Sequence, residues 1–341
     1  MNKKLLALLL AILMVAMSAV AMAATKNQTT LSDITKIYTT DTVLPVETLT
    51  FTATAQSAVK ADGTPVTENI GAPTLTGSIA TNTMTEDEDV AGKYTATVSI
   101  SSSATWPFAG TYTYSVSEDA GNIQGVTYST ETIAFQVLVG YKTGSDGKPT
   151  QDLEAQDIQL IVAPGATKEG SITNKYESGS VKVSKTVDGN AADTQENFTV
   201  ELTFAPESGK AFTSNFTSVK VNGTDTTLAN NKITITVKHG DTVTISDIPL
   251  GTSVTAAETG NNVDSTKADP TKYWPTYKVG ETETATATAD DTNIPTIAIT
   301  NYRSSEIATG VTTDSMPYIL LMAFVAILAV AFVAKKRSVK E

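Results

Sequence analysis

The sequence predicts an all-β chain folded as two tandem β-sandwiches, and three observations carry that expectation. The 341 residues leave room for about two domains once processing segments are set aside. Thr is the commonest residue, Val is frequent and aromatics are few, a composition that favours strands. From Thr25 onward, short runs of alternating apolar and polar residues are split by Gly, Pro, Asn and Asp, as in a sandwich.

Residues 1–24 read M-N-K-K, then an apolar run from Leu5 to Met17, then A-M-A-A. This is the pattern of a secretory signal peptide, with cleavage expected after Ala23 or Ala24 and an extracytoplasmic mature protein. A permanent anchor fits less well, because the run is short and small residues follow it. Two units are expected next, over 25–177 and 178–303, then a tail over 304–341. The break at Glu177-Ser178-Gly179 is short, so the units are expected to be closely tied and rod-like.

Strand side chains alternate between two faces. In the first unit, I-T-K-I-Y (34–38) puts Ile34, Lys36 and Tyr38 on one face. T-Y-T-Y-S-V-S-E (111–118) does the same for Tyr112, Tyr114, Val116 and Glu118, and S-I-T-N-K-Y (171–176) for Ile172, Asn174 and Tyr176. In the second unit, S-V-K-V-S-K-T-V (180–187) places Lys185 among Val181, Val183 and Val187. Glu258 falls with Val254 and Ala256, and Asn301 with Ile297 and Ile299. Further strands are expected at 198–204, 232–237 and 242–248. Each unit therefore aims a lysine, a glutamate and an asparagine at one apolar core, in the same chain order.

A buried ammonium is costly without a partner. Burial lowers a lysine pKa and raises a glutamate pKa, so the pair is expected as neutral amine and neutral acid. The amine is then a nucleophile. The acid can donate a hydrogen bond to the asparagine carbonyl, and attack with loss of ammonia leaves a Lys–Asn isopeptide bond. The bland alternative is an edge lysine whose stem snorkels outward; two matched trios argue against it.

At these residues the chain resembles the isopeptide-bonded domains of Gram-positive pilins and adhesins, both the streptococcal pilin isopeptide-linkage domains and the related Cna-B type. The segments that carry the resemblance are V-S-K-T-V-D-G-N, T-A-A-E-T and A-I-T-N-Y-R in the second unit. In the first they are G-T-Y-T-Y-S-V-S-E with G-V-T-Y, and I-T-N-K-Y. The resemblance spans about residues 30–303. It implies immunoglobulin-like sandwiches, cross-links Lys36–Asn174 and Lys185–Asn301, and catalytic roles for Glu118 and Glu258. It also implies an intersubunit lysine near the end of the first unit, where Lys168 is a candidate.

In the tail, Pro317 to Ala334 is an apolar-rich run. As a helix it would span about 27 Å, close to the bilayer core. Lys335-Lys336-Arg337 follow and would hold that end in the cytoplasm. The layout resembles a cell-wall sorting signal. Only Thr309 and Gly310 of the usual Leu-Pro-X-Thr-Gly remain, so either a divergent sortase-type transpeptidase cuts there or the helix is a plain membrane anchor.

Several functions are disfavoured. With no cysteine there is no disulfide or thiol chemistry, and His239 as the lone histidine argues against Ser-His triads and multi-histidine metal sites. A net charge of −12 argues against nucleic-acid binding. The acidic run Glu86–Asp89 lacks the ligand spacing of a calcium loop and reads as a solvated turn. No cofactor or metal is expected. The function expected is a wall- or membrane-anchored surface protein, a pilin subunit or adhesin stalk, with other pilin subunits or peptidoglycan as partners. The alternative is an anchored adhesin that binds a host surface ligand without polymerising; a surface hydrolase is least favoured.

Overall fold

The computed structural model describes residues 30–101, 105–161, 170–305 and 318–328. The first unit comprises β1 (Thr30–Thr40), β2 (Thr48–Lys60), β3 (Pro65–Val66), β4 (Leu75–Ala80), β5 (Thr85–Glu86) and β6 (Lys93–Ser101), then β7 (Gly110–Glu118), β8 (Val126–Thr127), β9 (Thr132–Thr143), β10 (Pro149–Leu160) and β11 (Gly170–Tyr176). One sheet runs β5-β6-β1-β11-β8, and the other runs β10-β9-β7-β2-β3 with β4 also paired to β2. The second unit comprises β12 (Ser178–Asp188), β13 (Phe198–Ala205), β14 (Ser218–Val221), β15 (Thr224–Thr227) and β16 (Lys232–Val237), then β17 (Thr242–Pro249), β18 (Ser253–Thr259), β19 (Trp274–Val279), β20 (Thr286–Thr288) and β21 (Thr296–Tyr302). Its sheets run β15-β14-β17-β12-β21-β19 and β16-β13-β18-β20. The described sandwiches are thus all-β, as the alternation predicts.

In each unit the first and last strands are parallel neighbours inside one sheet. Tyr38 pairs with Asn174 and Lys36 with Ile172; Val187 pairs with Asn301 and Lys185 with Ile299. Lysine and asparagine therefore sit two residues out of step on adjacent strands, with the same offset twice. Parallel pairing of strands so distant in sequence needs a long crossover. Here the remaining strands of the unit supply it.

Each sandwich buries its own apolar cluster. Phe51, Tyr112, Tyr114 and Phe135 fill the first, and Phe198, Leu202, Ile245 and Tyr273 the second. Trp106 lies in the first core against Tyr112, with ring centroids 4.9 Å apart. The acidic run starts at the end of β5 with Glu86 and bends over 88–90. Asp87 pairs with Lys93 at 2.7 Å and accepts the Asp89 N–H, while Glu86 accepts the Gly92 N–H.

The two units are pinned by more than their short connection. Gln124 is buried; its Nε2 donates to the Leu250 carbonyl at 2.6 Å and its Oε1 accepts the Glu207 N–H at 2.8 Å. Around it Ile123 bridges Ala211, the Val46 N–H donates to Thr213 Oγ1, and Asn215 Nδ2 donates to the Leu44 carbonyl. Each such bond contributes about 1 kcal/mol net, and leaving Gln124 unpaired would cost more. The close tie expected from the short connection is present.

The described part of the tail is a helix at 318–328, about 16 Å long by its residue count. No helix among the described residues is long and apolar enough to cross a membrane. Pro317 and 329–334 of the expected span lie outside the described residues, as do the signal peptide, Lys168, Thr309 and Gly310.

Candidate functional site

The alternation brings the six singled-out side chains into two places. Lys36 on β1 and Asn174 on β11 face Glu118 on β7 of the opposite sheet; Lys36 and Asn174 are 0% exposed. Lys36 Nζ lies 2.5 Å from Glu118 Oε2, and Asn174 Nδ2 donates to Glu118 Oε1 at 2.6 Å. The second unit repeats this with Lys185 on β12, Asn301 on β21 and Glu258 on β18. Lys185 Nζ is 2.6 Å from Glu258 Oε2, and Asn301 Nδ2 is 2.5 Å from Glu258 Oε1. In both ion pairs the side chains are wholly buried.

Sequence places these residues there through one substitution in each strand. A polar end replaces an aliphatic one at a position whose i−2 neighbour is a core residue: Ile34, Val116, Ile172, Val183, Ala256 or Ile299. The strand cannot rotate the charge outward without exposing those neighbours, since a one-residue slip moves every side chain to the other face.

Burial lowers the lysine pKa in both units. In Lys36 desolvation outweighs the opposing hydrogen bond and charge of Glu118. In Lys185 desolvation likewise dominates over Glu258, and brings the pKa to about 8. Phe198 offers its ring face 4.4 Å from Lys185 Nζ, which favours the ammonium, but not enough to offset the loss of water. At a pKa of about 8, roughly a tenth of the side chains are neutral amine at pH 7.

The carboxyl group in each unit spans lysine and amide. One oxygen meets the nucleophilic nitrogen and the other meets the amide nitrogen that would leave. That arrangement can take a proton from Nζ and return one to Nδ2, which is general acid–base chemistry at one group. The expected contact from the acid to the asparagine carbonyl is replaced by one to the amide nitrogen. In the first unit the carbonyl instead accepts the Ser129 N–H at 2.9 Å. Asn301 Oδ1 is buried and has no hydrogen-bond partner among the described residues.

Three contributors were not visible in the sequence. Ser129 acts through its backbone, so its side chain gives no signal. Tyr277 accepts the Glu258 N–H at its hydroxyl, 2.8 Å away, and braces that strand from across the sandwich. Glu47 receives the Tyr38 and Tyr128 hydroxyls at 2.8 and 2.6 Å beside the first trio. Tyr38 stood on the predicted face, but nothing local marked Glu47 as its partner.

Residues 24–177 match the family of the Spy0128-like isopeptide containing domain, and residues 179–303 match a domain of unknown function, DUF7601. No curated protein matches the chain by sequence. Among solved structures, the major pilin protein T3.2 of Streptococcus pyogenes is 23% identical, with a TM-score of 0.54, covering 81% of this chain and 100% of that one. The major pilin of Streptococcus pyogenes is 20% identical with a TM-score of 0.53, covering 82% and 100%. An alanine variant of that pilin gives 20% and 0.56 over the same shares. At such identities the likeness is one of fold. The matched family is described as isopeptide containing, and these solved structures of the same fold are major pilins. Residues 24–177 are therefore similar to the family of the Spy0128-like isopeptide containing domain, and the chain shares the fold of streptococcal major pilins.

Proposed function

We propose that the chain is a cell-surface structural protein, a pilin-type subunit or stalk, in which each sandwich is closed by a Lys–Asn isopeptide bond that it forms unaided. The observation that carries this reading is the repeated trio: same residue types, same strand offset, same carboxyl bridge, both buried. The lysine gives one proton to the glutamate, and the freed amine attacks the asparagine Cγ. The glutamate passes the first proton to Nδ2 and then accepts a second from the new Nζ–Cγ linkage. The Cγ–Nδ2 bond breaks and ammonia leaves, carrying off the second proton as ammonium, so the carboxylate is regenerated. The family description and the pilin-like fold support this reading.

Intact mass of the purified ectodomain tests it. A deficit of two ammonias relative to the sequence is expected, with Lys36–Asn174 and Lys185–Asn301 peptides recovered after digestion. A mass equal to the unmodified chain would overturn the reading, and a deficit of one would confine it to one unit.

The tail is proposed to be cut between Thr309 and Gly310 by a sortase-type transpeptidase, which joins the chain to an amine on another subunit or on peptidoglycan. Surface protein is then expected to end at Thr309. Recovery of surface chains that still carry 317–334 would replace transfer by simple membrane anchoring.

A further inference from the structure

The two trios differ at one atom. Both place a carboxyl group between Nζ and Nδ2, but only Asn174 has its carbonyl oxygen held, by the Ser129 N–H at 2.9 Å. Asn301 Oδ1 is buried without a hydrogen-bond partner among the described residues. The residue paired with Asn301 on the neighbouring strand is Pro275, which has no N–H to give. Attack at Cγ converts this carbonyl oxygen into an oxyanion. A preorganised backbone N–H aimed at it, in a site without water, stabilises the transition state more than the ground state.

Ser129 follows the short strand β8 and is held through its neighbour. The Tyr128 hydroxyl accepts the Ile123 N–H at 3.2 Å and donates to Glu47 Oε2 at 2.6 Å. The other oxygen of Glu47 takes the Tyr38 hydroxyl at 2.8 Å. Tyr38 sits two residues after Lys36 on β1. Glu47 thus ties the strand that carries the nucleophile to the loop that carries the N–H. The loop packs tightly here: a Cβ on Gly121 would run into the Tyr128 ring.

We propose that the Ser129 N–H is the oxyanion donor for the first cross-link, that Tyr128 and Glu47 are positioning residues for it, and that the first bond consequently closes before the second. This rests on the bond-forming reading above. As Lys36 Nζ bonds to Asn174 Cγ, the carbonyl electron pair moves onto Oδ1, where the Ser129 N–H receives it. The pair returns as Cγ–Nδ2 breaks, and Nδ2 leaves as ammonia with a proton relayed by Glu118.

The test is cell-free synthesis of the full chain with timed acid quenching, each bond being followed by its own cross-linked peptide. In the native sequence the Lys36–Asn174 peptide is expected first. Loss of one oxyanion donor costs on the order of 10²-fold in rate, so Ser129→Pro, which removes the N–H, should slow the first bond by about that factor. Tyr128→Phe and Glu47→Gln, which keep side-chain size, should slow it by roughly tenfold, allowing for partial repositioning. The second bond in the same molecules serves as the internal clock and should keep its rate. Thermal unfolding of Tyr128→Phe in a Lys36→Ala background checks that the fold survives. Simultaneous closure of both bonds in the native chain, or a first bond that forms at the native rate in Tyr128→Phe, overturns the proposal. Slowing of both bonds together also overturns it, since that marks a folding defect. Complete absence of both bonds from every chain is a different result and removes the cross-linking reading itself.

Discussion

Glu258→Ala is expected to leave Lys185 and Asn301 unlinked while the first unit still closes, so the mass deficit falls from two ammonias to one. The effect on stability is large because two contributions disappear together. A covalent loop of about a hundred residues restricts the unfolded chain by roughly 4–5 kcal/mol, by analogy with disulfides. In a domain of this size each kcal/mol moves the unfolding midpoint by a few degrees, so a fall on the order of 15 °C is expected in the second transition. The variant also strands a buried lysine. Before the bond forms, its pKa of about 8 is the outcome of desolvation opposed by the Glu258 hydrogen bond and charge. Without Glu258 the folded-state pKa drops further below the unfolded value of about 10.4. Between those two values the unfolded chain binds more protons, so stability rises with pH. The variant's second unit should therefore gain stability as pH is raised from about 7 to 10, reaching its full value above the unfolded pKa. Calorimetry with intact mass checks both parts. Retention of the second ammonia loss, or a second transition indifferent to pH, would show that Glu258 has been given the wrong role.

Much of this site was legible because strands have a period of two. A lysine at 185 among Val181, Val183 and Val187 has only one face available, and the structure puts all four inside. The same holds for Glu118 with Tyr112, Tyr114 and Val116. Lys36 was harder to read because β1 carries a register shift between Leu31 and Ile34, which breaks the alternation just before it. What alternation cannot specify is which strands pair. The parallel contact of first and last strands joins residues far apart in the chain, and no local pattern encodes it. Nor does sequence show which atoms of a carboxamide meet which partners. The amide nitrogen faces the glutamate in both units, and among the described residues the carbonyl is met by a backbone group in the first unit alone. The pin at Gln124 was equally hidden, since an isolated glutamine in a Gly-rich loop gives no sign of being buried between two units.

Lys185→Ala is expected to turn a nearly inextensible second unit into one that unfolds under ordinary load. Tension applied at the ends of this unit enters β12 at Ser178 and leaves β21 at Tyr302. The two strands are parallel neighbours, so such a pull shears their whole ladder at once. Hydrogen bonds alone would yield, and the intervening strands would then pay out. A bond from Lys185 to Asn301 sits across that ladder, seven residues into β12 and one before the end of β21. It shunts force from one strand to the other, and the chain between them carries none. The first unit has the same parallel pair and the same offset, so its Lys36–Asn174 bond would act alike. Single-molecule stretching of the ectodomain should show almost no extension from 186–300 in the native protein. In Lys185→Ala the full contour of the second unit should appear, while the first unit remains closed. Equal extension in the two proteins would remove the mechanical role even where mass spectrometry finds the bond.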